Sequence, residues 1–391
     1  MAKYYPLYVS ECYQSQSDEV KQFIKQMGFV PKETEYEIAL QTSGIALNDE
    51  HIFDGLSMEE FFRYSMSEEA KNLKEPKDIP WKEAFRQLYY FHLHHKTAFS
   101  LADIRDYTFM SSILDDWRKD KQVFRIDNTF ADELSKTTDL NLTESDLDYL
   151  PCKTFWLDVS LCKQFYPIEG ILVKVFTEQK PYIFATYQFT QNNEEPTFFS
   201  EYIYATDIKK EIDKMKEIGF DYGEFVFGKD INKMDRLKKE KFQQSRAANS
   251  LLTYQMISYL ISKEPDISIS NESKTTYKKR KETEKPKDSF KEIYMQDVGY
   301  VFGSEFRKYK KAVEHYEKIN KKKTENSSKR KPIRPHFVSA HWARYWVGQG
   351  RTKCETRWIE PYYTGLSKEA AVSYATIHNV KGYTDHKVIE R

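Results

Sequence analysis

Apolar residues recur every three or four positions through the first third of the chain, which is the spacing of one face of an α-helix. One predicted helix ends at Gly28, where a glycine cap belongs. Ser57 and Glu60 form a capping box at the start of another, and Pro80 suits the first turn of a third. This pattern predicts a helical domain over residues 1–140.

The pattern then changes to short runs of β-branched and aromatic residues, which are typical of strands. Three runs predict one antiparallel sheet, at residues 155–159, 170–176 and 182–187. Helical patterns return at residues 207–218 and 233–262. Strands followed by helices predict an α+β arrangement in the middle of the chain.

A polar stretch rich in Ser, Thr, Lys and Glu separates this region from the C-terminus. The predicted fold class is therefore α+β, with a helical N-terminal domain, a central antiparallel sheet with helices and a C-terminal module centred on a β-hairpin. The predicted division of the chain is residues 1–140 (helical domain), 141–262 (central α+β domain), 263–287 (flexible linker) and 288–391 (β-rich module with a basic helix).

The predicted hairpin has strands at 336–347 and 353–359, joined by a turn at 348–352. Side chains alternate between the two faces of a strand. Even-numbered positions are predicted to face the core, and they carry Trp342, Trp346 and Trp358 as structural residues. Odd-numbered positions are predicted to face outward. The predicted binding residues in and beside the hairpin are Arg334, His336, His341, Tyr345, Arg351, Lys353 and Arg357.

The outward face combines an imidazole, a phenol and a guanidinium. These groups suit a binding surface, and they are also the minimal set for metal-independent RNA cleavage, in which an arginine stabilises the charge on phosphorus. If the protein is an enzyme, its predicted catalytic residues are His341, Tyr345 and Arg357. A non-enzymatic binding role is the favoured interpretation.

The sequence predicts neither a metal site nor a cofactor. His336 and His341 are five residues apart, so they would point to opposite faces of a strand. No neighbouring Cys or carboxylate pattern completes four ligands. The four cysteines form no Cys-x-x-Cys pair, which predicts reduced thiols in a cytoplasmic protein.

Charge is balanced overall but not along the chain. The net charge of +1 indicates no particular partner, yet residues 307–334 hold twelve Lys and Arg against three acids. This segment is predicted either to contact the phosphates of mRNA or of the ribosome, or to be a solvated helix face and linker. No apolar run reaches the roughly 20 residues that a membrane span needs, which predicts a soluble protein without a membrane partner.

The C-terminal sequence resembles the signature of a type V-A anti-CRISPR family. The matching residues are Arg334-Pro335-His336, His341-Trp342, Tyr345-Trp346, Gly348-x-Gly350, Arg357-Trp358 and Pro361. Three further stretches agree in order and spacing: Leu150-Pro151 with Leu157-Asp158-Val159-Ser160, Glu264-Pro265-Asp266-Ile267, and Val298-Gly299 with Gly303-Ser304-Glu305 and Arg307-Lys308-Tyr309. Among these, Gly299 and Gly303 are expected to be structural. The resemblance covers roughly residues 130–365.

The resemblance implies a phage or mobile-element protein that acts in the cytoplasm of a bacterial host. Members of this family lower the level of the type V-A CRISPR nuclease instead of blocking its DNA cleavage. The implied mechanism is recognition of the nuclease's N-terminal polypeptide during translation, followed by loss of the translated mRNA. The chain departs from the family at Val338, Ser339 and Ala343, where relatives carry basic residues and a histidine. An RNA-binding protein or endoribonuclease acting through the C-terminal module is the alternative.

Overall fold

A large sheet lies between two helical layers in the computed structural model. The structure describes residues 4–72, 79–95, 101–137, 140, 142–165, 168–192, 195–210, 213, 236–270, 293–325, 336–351 and 353–364. Within these residues the predicted fold class is confirmed, because helices precede a mostly antiparallel sheet and a small hairpin sheet follows it.

Six helices of the N-terminal part form the first layer. They are α1 (Tyr5–Gln26), α2 (Glu35–Ala46), α3 (Met58–Met66), α4 (Glu68–Asn72), α5 (Pro80–His95) and α6 (Leu101–Asp120). The sequence signals hold in detail: Ser57 and Glu60 form the predicted capping box of α3. Gly28 has a φ of +91°, the left-handed conformation that favours glycine just after a helix.

The sheet has seven strands, in the spatial order β5-β4-β3-β2-β1-β7-β6. The strands are β1 (Gln122–Ile126), β2 (Thr154–Asp158), β3 (Ile168–Phe176), β4 (Ile183–Asn192), β5 (Glu195–Tyr204), β6 (Ile267–Ile269) and β7 (Tyr294–Val298). β1 pairs in parallel with both β2 and β7, and the other neighbours are antiparallel. The three predicted central strands correspond to β2, β3 and β4, so the antiparallel prediction for them is confirmed.

The two faces of the sheet bury different cores because side chains alternate along each strand. On β2, Trp156 packs with the N-terminal helices, whereas Phe155 and Leu157 pack on the opposite side. The opposite side is covered by three helices and by the C-terminal strands: α7 (Asn128–Ser135), α8 (Arg236–Leu260) and α9 (Tyr300–Glu325). α9 is amphipathic, since Phe302, Phe306 and Tyr309 are buried at helical spacing.

The sheet crosses the predicted boundaries of the chain segments. β1 comes from the predicted helical domain and β7 from the predicted C-terminal module, yet they are neighbours in one sheet. β6 lies in the predicted flexible linker, of which residues 271–287 are outside the described part. The chain changes from α6 to β1 at Lys121, which has a φ of +44°. A lysine gives no turn signal, which is why the sequence did not indicate this strand.

The described part of the chain has no helix that is both long and apolar enough to cross a membrane.

Candidate functional site

The C-terminal strands form two small antiparallel ladders. β9 (His341–Val347) pairs with β10 (Lys353–Ile359), and β8 (His336–Val338) pairs with β11 (Tyr362–Thr364). The prediction of one continuous strand over residues 336–347 is wrong, because the buried Ala340 carries the chain from one ladder to the other. The turn and the second strand lie where the sequence predicts them.

Two tryptophans fix the β9–β10 hairpin on the core. Trp342 and Trp358 are directly opposed across the ladder, and both pack against the sheet's second core. The Trp358 ring meets Phe130, Tyr259 and Phe302 edge-on, with ring centroids 5.2, 5.6 and 5.1 Å away. Such edge-to-face contacts between large rings add to the free energy of burial. The inward direction predicted for these two indoles is therefore correct.

The prediction of a core position is wrong for Trp346, which is 62% exposed. It shares a strand face with Trp342, but it pairs with Cys354 near the turn. The tip of the hairpin, residues 348–351, is also exposed. The alternation of side chains along a strand predicts which face a residue lies on. It does not predict whether another part of the protein covers that face. Here the tip projects past the layer on which the other two indoles pack.

His341, Tyr345 and Arg357, which we call the outward patch, lie on one face of the hairpin. Tyr345 is 44% exposed, and the Arg357 guanidinium lies over its ring at 5.4 Å from the centroid. The exposed His341 follows on the same face, where it pairs with Ile359. Its Nδ1 is 3.2 Å from the carbonyl oxygen of Ser339. The structure thus assembles the three predicted side chains on an accessible surface.

An ion pair joins the hairpin to the end of α8. Glu355 lies between Lys263 and Arg357, with its Oε2 at 2.9 Å from Lys263 Nζ and 3.5 Å from Arg357 Nη2. The Lys263 N–H also donates to the Thr356 carbonyl at 3.3 Å. Arg357 is therefore held from two sides, by the Glu355 carboxylate and by the Tyr345 ring. Sequence analysis did not indicate Lys263 as a supporting residue of this site.

The remaining predicted binding residues are placed less closely together. Arg351 lies in the exposed turn with a φ of +53°, and its N–H donates to the Gly348 carbonyl. His336 and Lys353 are the first residues of β8 and β10. Arg334 lies outside the described residues. The patch and the turn therefore occupy neighbouring parts of the same hairpin.

The two glycines of the resemblance have structural roles. Gly299 has a φ of +72°, and a Cβ there would overlap the Phe130 ring beneath Trp358. Gly303 lies against the Asp127 carboxylate, which a Cβ would displace. Neither position has room for a side chain, because the backbone at the start of α9 lies close to α7.

Asp127 joins α7 to α9 through a network that the sequence did not reveal. Its Oδ1 accepts from the N–H groups of Thr129 and Phe130 at the start of α7. Both carboxylate oxygens also accept from Arg307, at 2.9 and 3.0 Å. Asp127 and Arg307 are 180 positions apart, and their pairing depends on the sheet that places α7 beside α9. Arg307, predicted as part of the basic segment, thus pairs with a buried carboxylate, although 47% of its own side chain is exposed.

Asp266 caps α9 in a comparable way. Its carboxylate accepts from the Phe302 N–H at 2.9 Å, and its own N–H donates to the Tyr259 hydroxyl at 2.8 Å. Burial raises the pKa of the Tyr259 phenol well above its ordinary value, so the hydroxyl stays protonated. The Glu-Pro-Asp-Ile and Gly-Ser-Glu stretches of the resemblance therefore meet in space and support the hairpin.

Replacing Arg307 with alanine is expected to lower the free energy of unfolding by about 1–3 kcal/mol, the range for a buried group that loses its hydrogen-bond partner. The reason is the buried Asp127 carboxylate, which would lose its cationic partner while it still caps α7. Chemical denaturation of the purified variant measures the change.

Lys308→Ala is the matched control, because Lys308 is exposed on the same helix. It is expected to change stability by less than about 0.5 kcal/mol. Equal stability losses in the two variants would contradict a structural role for Arg307.

Within the described part of the chain, no group of three or more His, Cys, Asp or Glu side chains is arranged to hold a metal ion.

Comparison with known proteins gives one match. A family model described as the anti-CRISPR type V subtype A2 family matches residues 124–365. The matched region contains the whole seven-stranded sheet except the first two residues of β1, and it includes the outward patch. Neither the curated proteins nor the solved structures contain a significant match.

Proposed function

The chain belongs to the anti-CRISPR type V subtype A2 family, and from this premise we propose that it recognises the nascent N-terminal polypeptide of the type V-A CRISPR nuclease. Binding during translation then leads to loss of the translated mRNA, so less nuclease is made. In this proposal the protein is encoded by a phage or mobile element and acts in the cytoplasm of the bacterial host. Its role is that of a binding protein without catalytic activity of its own.

The outward patch is the observation that carries the proposal. A guanidinium stacked on an exposed phenol, beside an exposed imidazole, presents hydrogen-bond donors and aromatic surface on a rigid support. Tyr and Arg are enriched among the residues that dominate binding energy at protein interfaces. Because Trp342 and Trp358 fix the hairpin to the core, the patch loses little conformational entropy on binding. We assign this patch to contact with the translating complex.

The described basic residues of α9 supply a second element of the proposal. Lys308, Lys310 and Lys311 are exposed on the helix that follows the sheet. Exposed lysines attract phosphate groups without base specificity, which suits contact with the mRNA or with ribosomal RNA. Arg307 is excluded from this set because it pairs with Asp127. Charge on α9 would thus hold RNA near the protein while the outward patch contacts the translating complex.

A reporter that fuses the first codons of the nuclease gene to a fluorescent protein tests the proposal. Producing this protein in the same cells is expected to lower both fluorescence and reporter mRNA. A reporter with synonymous codons keeps the peptide and changes the RNA, so it is expected to respond equally. A frameshifted reporter keeps most of the RNA and changes the peptide, so it is expected not to respond. A response from the frameshifted reporter would overturn peptide recognition, because that reporter does not encode the peptide.

Arg357→Ala is expected to weaken the effect in this assay. Loss of a central arginine contact costs about 1–2 kcal/mol at an interface, which corresponds to about five- to thirtyfold weaker binding. Arg357→Lys keeps the charge and replaces the guanidinium over the Tyr345 ring with an ammonium, so an intermediate effect is expected. Thermal unfolding of each variant establishes that the fold is retained.

The same three side chains support a second candidate, an endoribonuclease or RNA-binding protein. The observation in its favour is that His341 is exposed on the same face as Arg357. An imidazole can act as the general acid or base in RNA cleavage, and a guanidinium can stabilise the charge that develops on phosphorus. If purified protein cleaves RNA, and if His341→Ala abolishes cleavage without lowering thermal stability, the enzyme replaces the binding protein as the function.

A further inference from the structure

The end of α1 exposes three apolar side chains, which we call the apolar stripe. Phe23 is 49% exposed and Met27, one helical turn later, is 52% exposed, although Ile24 between them is buried. Val30 follows the Gly28 cap and is 84% exposed. Neighbouring apolar side chains that remain open to water often mark a surface where another molecule binds.

A hydrogen-bonded glutamine connects the stripe to a pocket. The Nε2 group of Gln41 donates to the Val30 carbonyl at 2.9 Å and to the Glu50 carboxylate at 3.1 Å. Glu50 therefore lies beside the end of the stripe. The same two residues, Gln41 and Glu50, line a pocket of about 280 Å³ between α2 and residues 50–58, with Phe53 in its apolar wall.

Carboxylates dominate this pocket, which we call the acidic pocket. Glu37, Glu50 and Asp54 line it, against Lys32 as the one basic residue among its lining residues. All three acids are accessible: Glu37 is exposed, and the side chains of Glu50 and Asp54 are 24% and 48% exposed. Lys32 pairs with Asp54 at 3.0 Å, and His51 contacts Asp54 and Glu50 at 2.8 and 3.3 Å. Even with a protonated His51 the carboxylates outnumber the cations.

The surrounding part of the chain is also acidic. Residues 4–72 contain thirteen acidic and five basic residues, a net charge of −8, whereas the whole chain has a net charge of +1. Negative potential of this kind repels the phosphates of RNA and attracts positively charged partners. The stripe therefore suits a partner that combines apolar residues with Lys or Arg.

The position of the stripe also favours one shape of partner. It is carried by α1 and by the turn that follows, so it offers no strand edge to which an extended peptide could add. Amphipathic helices bind instead by laying their apolar face on an apolar surface, with anchors spaced three or four residues apart. Phe23 and Met27 have this spacing on their own helix.

From these observations we infer that the apolar stripe and the acidic pocket together dock a basic amphipathic helix of a partner protein. The apolar face of that helix covers the stripe, and one of its Lys or Arg side chains enters the pocket beside Glu37 and Glu50. The inference goes beyond the proposed function. It assigns a role to the N-terminal helices, which precede the region matched by the family model at residues 124–365.

A designed peptide tests this surface on the full-length protein. The probe is a fluorescently labelled 18-residue helix with leucines on one face and Lys and Arg on the other, about five turns in length. Its comparison peptide carries Glu in place of Lys and Arg. Anisotropy is expected to show binding of the basic peptide and at least about tenfold weaker binding of the acidic one.

The double variant Phe23→Ala/Met27→Ala removes most of the stripe. Loss of two apolar contacts is expected to weaken binding of the basic peptide at least about tenfold. Leu161→Ala is the matched control, because Leu161 is 61% exposed after β2, away from α1. It is expected to stay within about twofold of the parent. Thermal unfolding establishes that each variant keeps its fold.

The double variant Glu37→Gln/Glu50→Gln tests the charge of the pocket. Glutamine keeps an acceptor for Thr34 and for Gln41, so the cap of α2 and the link to the stripe remain. Binding is expected to be about three- to tenfold weaker and less dependent on salt. Glu314→Gln, at an exposed position of α9, is expected to change neither property.

Four results would overturn the inference. They are equal affinity in the parent and the Phe23→Ala/Met27→Ala variant, equal binding of the acidic peptide, no binding of the basic peptide to the parent, and self-association through the stripe. The last would appear in sedimentation as a parent dimer that the double variant does not form. The codon reporters test the proposed function separately. If they fail to respond while the basic peptide binds as expected, the proposed function fails and the docking surface stands.

Discussion

Replacing Trp358 with alanine is expected to lower the free energy of unfolding by about 3–5 kcal/mol, the usual cost of removing a large aromatic side chain from a core. The Trp358 ring fills the space between Phe130, Tyr259 and Phe302, three rings that come from three different helices. Its removal leaves a cavity directly beneath the hairpin. Chemical denaturation measures the loss, and the reporter assay is expected to show that mRNA lowering is lost with it.

Trp346→Ala is the matched control for this experiment. Both residues are tryptophans at even positions of the same hairpin, and the sequence pattern treats them as equivalent. Because Trp346 is 62% exposed, its replacement is expected to change stability by no more than about 0.5 kcal/mol. A large loss of stability in Trp346→Ala, or a negligible one in Trp358→Ala, would contradict the packing described for the hairpin.

Gly299→Ala is expected to destabilise the protein by about 2–5 kcal/mol. Two costs add at this position: about 1–2 kcal/mol for an alanine in the left-handed conformation and about 1–3 kcal/mol for overpacking a core. The first cost follows from the φ of +72° and the second from the overlap of the new Cβ with the Phe130 ring. Thermal and chemical unfolding of the purified variant measure their sum.

Gly348→Ala separates these two costs. Gly348 lies in the hairpin turn with a φ of +85°, but no heavy atom lies within 4 Å of the position that a Cβ would take. This variant therefore carries the conformational cost without the overlap, and it is expected to lose only about 1–2 kcal/mol. If the two glycine variants lose equal stability, the contact between Gly299 and Phe130 does not limit the packing of α9 against α7.

The sequence predicts local features of this protein well, for a physical reason. Helix caps such as Ser57 and Glu60, and the two-residue alternation of β9 and β10, depend on residues close together in the chain. The spacing of residues in the sequence is enough to predict such features, so the hairpin and its outward patch could be predicted. Whether an inward side chain is covered depends on the length of the layer beneath it, and this is why Trp346 was misassigned.

Contacts between distant parts of the chain could not be predicted from the spacing of residues in the sequence. The pairing of Asp127 with Arg307 depends on a sheet that places residues 180 positions apart side by side. The ion pair between Lys263 and Glu355 likewise joins two distant parts of the chain. Arg307 appeared in the sequence only as one of twelve basic residues, with nothing to distinguish a structural arginine from its exposed neighbours.

The position of β1 has a consequence for the order in which the protein can become active. This strand lies between β2 and β7, and Arg125 of β1 bonds to Asp297 of β7 across 172 positions. β1 therefore gains its second neighbour only after β7 has left the ribosome. A gene fragment that encodes residues 288–391 supplies a hairpin without the surface on which it rests. One that ends before residue 294 leaves β1 at the edge of the sheet, where the backbone groups on its free side have no neighbouring strand.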